Sequence, residues 1–453
     1  MSATFSVKEH GAKGEGKTTD TAAIQAAVDA CHAAGGGTVY CPPGEYRTGT
    51  VRLRSNVELS IEAGAKLVGS SDPADYPGLE YGTVFPASKV GPQHLVFAHK
   101  ADNIAITGRG TIDGNGRAFF GPREPGKTHL SVPGWRPSHL IAFVECRDVL
   151  IRDVQLVDSP LYTVWPLGCE RVRIHGVTIL NNREGPNTDG IDPDCCRGVV
   201  ISDCHIDAGD DCIALKSHDS LLGRPLACED VTVTNCVLST TCCGVRIGYE
   251  GDGPIRNCTF ANLVMPNTRT GINMLVPRHA EIGIEHGPAI ENISFSNVVM
   301  DTRIPIYLWI GDDAAAPGGI RNVSIADVIA TADRASYIGG SRSIPVESVR
   351  LSNIDLTVRG RMDDELADVP YPYPVFDDWT KRGIPDAFYC RYARDLAFRD
   401  VRVHWGDVTG AWRSALCAEH VDELELSNFI GTAAPGSRTP AVHLTETSVR
   451  PGR

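Results

Sequence analysis

A ten-residue pattern recurs along the chain and limits the folds open to it. Polar residues lead into an apolar residue, any residue, an apolar residue, any residue, then Asn, Asp or Gly before another apolar residue. It reads RDVLIRDVQL at 147–156, ERVRIHGVTI at 170–179, RGVVISDCHI at 197–206 and EDVTVTNCVL at 229–238. It returns as IRNCTFANLV, ENISFSNVVM, RNVSIADVIA, ESVRLSNIDL, RDLAFRDVRV and finally DELELSNFIG at 422–431. The anchors are Asp153, Gly176, Asp203, Asn235, Asn262, Asn297, Asp327, Asn353, Asp400 and Asn428, separated by 23, 27, 32, 27, 35, 30, 26, 47 and 28 residues. Alternation with period two, rich in Val, Ile and Thr, marks strands rather than helical repeats. The fixed Leu and Asn spacing of leucine-rich repeats is missing, and steps of this size mean that each repeat is one unit stacked on the next. The pattern therefore predicts an all-β fold, a single-stranded parallel β-helix forming one domain over 1–453, with coils about 4.8 Å apart.

An open solenoid end would expose core and strand edge to water. Residues 1–60 are expected to supply the amino-terminal cap and first coils. Within them DTAAIQAAVDACHAAG (20–35) puts Ile24, Ala27, Val28 and Cys31 on one helical face, and Gly35 stops the helix. Two long segments, 113–137 and 362–388, interrupt the repeat as loop insertions, a place where function is often carried.

Charge and composition remove several classes. A net charge of −13 without any Lys/Arg block excludes a nucleic-acid partner. No apolar run is long enough for a membrane span, and no basic segment followed by an apolar one opens the chain, so a cytoplasmic location is expected. Fifteen cysteines form an odd set with no CxxC pair, which points to buried free thiols, with Cys204, Cys236 and Cys258 in strand interiors.

The chemistry concentrates in NTDGIDPD (187–194) and AGDDCIALKS (208–217). Asp210 and Asp211 stand together against the apolar run 212–215, and Asp189 lies 21 residues before Asp210, close to one coil. Stacking then predicts three carboxylates on adjacent rungs of one face. Crowding keeps one member protonated while another stays ionised, which supplies the acid and the base that glycoside hydrolysis needs. Calcium binding is the other functional use of such a cluster. Asp192, Asp194, Asp203 and Asp207 are expected at turns or rung edges.

NTDGID and GDDCIALKS, in that order and spacing, resemble the signature segments of family 28 of the glycoside hydrolases, the polygalacturonase family. FSVKEHGAKGEGKTTDTAAIQAAVDA, followed by GGGTVYCPPGEYRTG, is similar to the amino-terminal cap of bacterial members, and YPYPVFDDWTKRGIPDAFYCRYARDL to a late bacterial segment. The resemblance implies a right-handed β-helix and inverting hydrolysis without metal or other cofactor. It makes Asp210 the general acid, with Asp189 and Asp211 holding and deprotonating the attacking water, and it implies a carbohydrate as the partner.

The chain also departs from that family. Where Gly-His-Gly is usual it has CCGVRIG (242–248), with Cys243 in place of the histidine. Where Arg-Ile-Lys is usual, GINML (271–275) leaves Asn273 and Leu275. Losing cations that grip a substrate carboxylate weakens binding of a buried anion. The expected substrate is therefore a small oligosaccharide or glycoside, pectin-related or carrying a neutral or modified sugar, rather than polygalacturonate. Arg246 on the strand and Arg278 on a loop are the candidate replacement cations, and Asn187, Lys216, Cys243, Asn273 and Trp379 complete the expected substrate-binding set. Trp135, Tyr371, Tyr373 and Phe376 are further loop aromatics suited to stacking on sugar rings. A lyase or epimerase on the same scaffold and a noncatalytic sugar-binding β-helix are the alternatives.

Overall fold

The computed structural model describes residues 3–78, 93–278, 284–311, 316–362 and 384–450. The fold is a right-handed parallel β-helix, the hand that parallel crossover connections almost always take. The chain divides into two compact units, Met1–Ala214 with Leu221–Thr241, and Leu215–Ser220 with Cys242–Arg453.

In the first unit the strands Arg147–Arg152, Glu170–His175, Arg197–Ser202 and Cys228–Thr240 stack in register. Val149, Val172, Val199 and Val231 form one column, and Ile151, Ile174, Ile201 and Val233 another. All eight are buried, while the alternate Arg173 is exposed. A slip of one residue would drive Arg173 into the core, so the alternation fixes the register. The helix Thr21–Ala33 buries Ile24, Ala27, Val28 and Cys31, as the spacing predicts, and Gly35 turns the chain at φ +93°.

The second unit repeats the design with longer strands, including Ile255–Val276, Ala289–Ile310, Gly319–Ala332 and Val346–Met362. Phe260, Phe295, Ile325 and Leu351 share one buried column, with the two Phe rings stacked 4.5 Å apart.

The repeat anchors have a steric cause. All ten adopt φ between 52° and 65°, the left-handed region in which Gly, Asn and Asp are the least strained residues. Anchors on successive coils also bond: Asn297 donates to Asn262, Asn353 to Asp327 and Asn428 to Asp400, each at 2.7 Å. A second left-handed corner lies five residues before each anchor, at Asp148, Arg171, Gly198, Asp230, Asn257, Asn292, Asn322, Ser348, Asp395 and Glu423. The fifteen cysteines are all buried free thiols. No helix among the described residues is long and apolar enough to cross a membrane.

Candidate active site

In the first unit, parallel bridges pair Val164 with Ile191 and Ile191 with Ile213 on successive coils. Carried back two residues, that register sets Asp189 beside Asp211. The backbone holds the pair there: Gly190 N donates to Asp211 O at 2.8 Å, and Thr163 donates to Asp189 O from both N and Oγ1, at 2.9 and 2.7 Å. Asp210 is fixed by Thr240 Oγ1, which donates to its carbonyl, and by its own Oδ1, which accepts from Asp211 N at 3.1 Å. One carboxylate oxygen from each of the three lies within 4.8 Å of the others. All three residues are buried, at 3, 7 and 1% exposure for Asp189, Asp210 and Asp211. The glycines of the motif are required by close approach: a Cβ on Gly190 would lie 2.4 Å from Cys212 O, and one on Gly209 2.3 Å from Asn182 O.

Three buried carboxylates need a balancing charge, and Arg136 supplies it. This residue ends the 113–137 insertion. Its Nη1 donates to the carbonyls of Pro160 and Pro186 at 2.7 Å each, and its Nη2 to Asn187 Oδ1 at 3.2 Å. Burial pushes the guanidinium down to about 10, against the opposing pull of Tyr162, Asp189 and Asp210, so it remains a cation at neutral pH. Asn187 thus sits, at φ +57°, between this cation and Asp189 two residues on. Sequence reasoning missed Arg136, because an Arg-Pro pair in a Gly- and Pro-rich segment carries no periodic signal.

The neighbouring acids differ from expectation in part. Asp203 is a left-handed corner and Asp207 pairs with Arg183 at 2.6 Å, as rung-edge residues should. Asp192 and Asp194, expected at turns or rung edges, are instead completely buried, and Asp194 accepts from Trp165 Nε1 at 3.2 Å. The reason is that the segment after Asp189 runs inside the coil stack, with Leu167 and Asp194 bridged.

The second unit holds the remaining candidates. Lys216 is fully buried and pairs with Glu250 at 3.1 Å. Burial would raise the Glu250 pKa, but Lys216, His218 and Arg246 outweigh it and hold the group below its ordinary range. Arg246 is buried, its Nη2 lies 3.2 Å from Cys242 Sγ and 3.7 Å from Cys243 Sγ, and its guanidinium stands 5.5 Å over the Tyr249 ring. Asn273 follows Arg246 in register on the next coil, and Leu275 follows Gly248. Arg278 is exposed just past the strand Ile255–Val276. Trp379, Tyr371, Tyr373 and Phe376 lie outside the described residues. Trp135, in the first unit, packs on Tyr76 and Phe119 at 5.4 and 5.6 Å.

The aspartate trio is equipped for proton transfer to and from a bound ring, and its oxygens are also close enough to share a divalent cation. A family model described as glycosyl hydrolases family 28 matches residues 41–373. Among characterised sequences, a "Probable polygalacturonase" of Vitis vinifera is 28% identical over 373 residues, 78% of this chain and 74% of that protein. Two solved structures share the fold. One is an exopolygalacturonase from Thermotoga maritima, with a TM-score of 0.65 and 24% identity over 79% of this chain and 87% of that one. The other is a family 28 exopolygalacturonase from Yersinia enterocolitica, with a TM-score of 0.68 and 19% identity over 91% of this chain and 78% of that one.

Proposed function

The chain belongs to family 28 of the glycosyl hydrolases and is a glycosidase, and we propose that it cleaves a pectin-related oligosaccharide or glycoside with inversion. The convergence of Asp189, Asp210 and Asp211 within 4.8 Å carries this reading. Asp210 gives its proton to the glycosidic oxygen as the bond to the anomeric carbon breaks. Asp189 and Asp211 hold a water, and one of them takes its proton as the oxygen attacks the opposite face. Arg136 and Asn187 keep the arrangement from relaxing. Family membership favours hydrolysis over a lyase or epimerase reaction.

For the sugar, the two neutral side chains Asn273 and Leu275, and the engagement of Lys216 by Glu250, support a substrate with less negative charge than polygalacturonate. A screen of aryl glycosides and plant-wall oligosaccharides, with the wild type beside Asp210→Asn, tests this. Hydrolysis of a neutral or modified substrate, strongly slowed by the substitution where the leaving group needs a proton, is expected; efficient depolymerisation of polygalacturonate would contradict the proposed substrate.

One observation favours a second stereochemical reading. Carboxyl groups separated by about 5–5.5 Å ordinarily accompany retention, and about 6.5–9.5 Å inversion. The compact trio falls nearer the first class, unless the water is held to one side by Asp189 and Asp211 together rather than between acid and base. Proton NMR of the first-formed anomer decides: the opposite configuration to the substrate is expected, and the same configuration would assign a covalent intermediate.

A further inference from the structure

We propose that His129 is a positioning residue for Asp210: from the 113–137 insertion it holds the peptide group that leads into that aspartate, and so sets the direction in which the carboxyl offers its proton. The proposal rests on the reading of Asp210 as proton donor to the leaving group.

The insertion reaches the aspartate segments at two places, both within the first unit. At its end Arg136 binds Pro186 O and Asn187, just before Asp189. Earlier in the insertion, His129 Nε2 lies 3.3 Å from Gly209 O, just before Asp210. The stretch that carries the imidazole has anchors of its own. Leu130 N donates to Glu184 O at 2.8 Å, Arg123 pairs with the Glu184 carboxylate at 3.0 Å, and Arg123 and Leu130 form an antiparallel bridge on either side of His129. The ring is therefore delivered to Gly209 rather than needed to hold the loop.

The Gly209 peptide is gripped from both ends. Its N–H donates to Thr188 Oγ1 at 3.2 Å. Its carbonyl faces two donors, Thr241 Oγ1 at 2.8 Å and His129 Nε2 at 3.3 Å. The Thr241 hydroxyl also lies 3.1 Å from Arg183 O, and its one proton serves one carbonyl at a time. The imidazole is the donor that stays on Gly209 when the hydroxyl turns to Arg183. A carbonyl only accepts, so Nε2 carries the proton, and in the neutral ring Nδ1 accepts from Thr128 Oγ1 at 3.1 Å.

The effect falls on one aspartate of the three. Rotation of the Gly209 peptide would swing the Asp210 side chain, whose other flanking carbonyl is held by Thr240. Asp211 is anchored separately, its carbonyl accepting from Gly190 N at 2.8 Å, and Asp189 by Thr163. Removing the imidazole thus loosens the proton donor and leaves the two carboxylates that hold the water in place. Displacing an acid from the atom it protonates costs rate rather than binding.

The test compares wild type, His129→Leu, His129→Gln and Asp210→Asn on phenyl and dinitrophenyl glycosides of one sugar that the wild type hydrolyses. Leu removes the donor, and the Gln amide restores an N–H. His129→Leu should lower kcat on the phenyl glycoside about tenfold with KM within about twofold, and should leave the dinitrophenyl glycoside, whose departure needs no proton, within about twofold. His129→Gln should stay within about threefold of wild type on both substrates. An equal loss on both substrates, a change confined to KM, no loss in His129→Leu, or a loss in His129→Gln as large as in His129→Leu would overturn the proposal. Asp210→Asn separates the two readings. Leaving-group dependence in Asp210→Asn but not in His129→Leu removes the positioning role alone, whereas its absence from Asp210→Asn removes the proton donor itself.

Discussion

Replacing Asp210 by Asn should slow turnover of substrates whose leaving group needs a proton and make the protein more stable. Two unit charges 4.8 Å apart repel by about 3.5 kcal/mol at an effective dielectric of about 20. The nearby Arg136 already relieves part of this, so the expected gain is about 1–3 kcal/mol. The amide can keep the bond from the neighbouring backbone, since its Oδ1 still accepts from Asp211 N. Urea unfolding at pH 7, followed by fluorescence, would show the midpoint move upward with no change in slope. A variant destabilised by 1 kcal/mol or more on the same scale would refute the reasoning, because the carboxylate would then be a compensated structural element rather than a strained functional one.

Three other perturbations follow from the same contacts. Arg136→Met strips bonds from two carbonyls and Asn187 and should cost about 3–5 kcal/mol together with most activity; Arg136→Lys, which cannot fork to three acceptors, should recover only part of each, as paired unfolding and rate measurements would show. Lys216→Met takes the 3.1 Å partner from the partly buried Glu250, which keeps His218 and Arg246 nearby, and should cost about 1–3 kcal/mol, whereas Lys216→Met with Glu250→Gln should recover most of it in a double-mutant cycle. His94 is buried against Phe97 and burial pushes it down to about 3, so its neutral form stabilises the fold fully above the unfolded value near 6.5. That stability is lost as pH falls below 6.5, by about 2 kcal/mol at pH 5, and His94→Gln should flatten the fall in the urea midpoint between pH 7 and pH 5.

Much of the scaffold was legible because its steric rule is local. A left-handed corner admits Asn, Asp and Gly best, so Asp153 through Asn428 stand out in the sequence before any coil is drawn. The second corner was not legible: Arg171, Ser348 and Glu423 occupy it beside Asn and Asp, since their side chains find partners on the neighbouring coil, as Arg171 does with Asp148 at 2.7 Å. The cap helix was legible down to its four buried residues because helical spacing is also local. At the site, counting one coil back from Asp210 located Asp189. Arg136 and the Lys216 to Glu250 pair escaped, since each depends on which irregular segment or distant rung arrives opposite, and neither leaves a period to count. Asp192 and Asp194 were misplaced for a related reason: turn-forming residues look alike in sequence whether the turn faces water or the coil interior.

The roles within the trio are tested most directly by the rate of each Asp→Asn variant on paired aryl glycosides with a good and a poor leaving group. A departing group that needs no proton should leave Asp210→Asn within about tenfold of the wild type, while the poor one slows it by about 10²–10⁴. Asp189→Asn and Asp211→Asn should slow both substrates alike, since the water is needed in either case. Equal losses on both substrates for Asp210→Asn, or a leaving-group dependence in Asp189→Asn or Asp211→Asn instead, would contradict the assignment of acid and base.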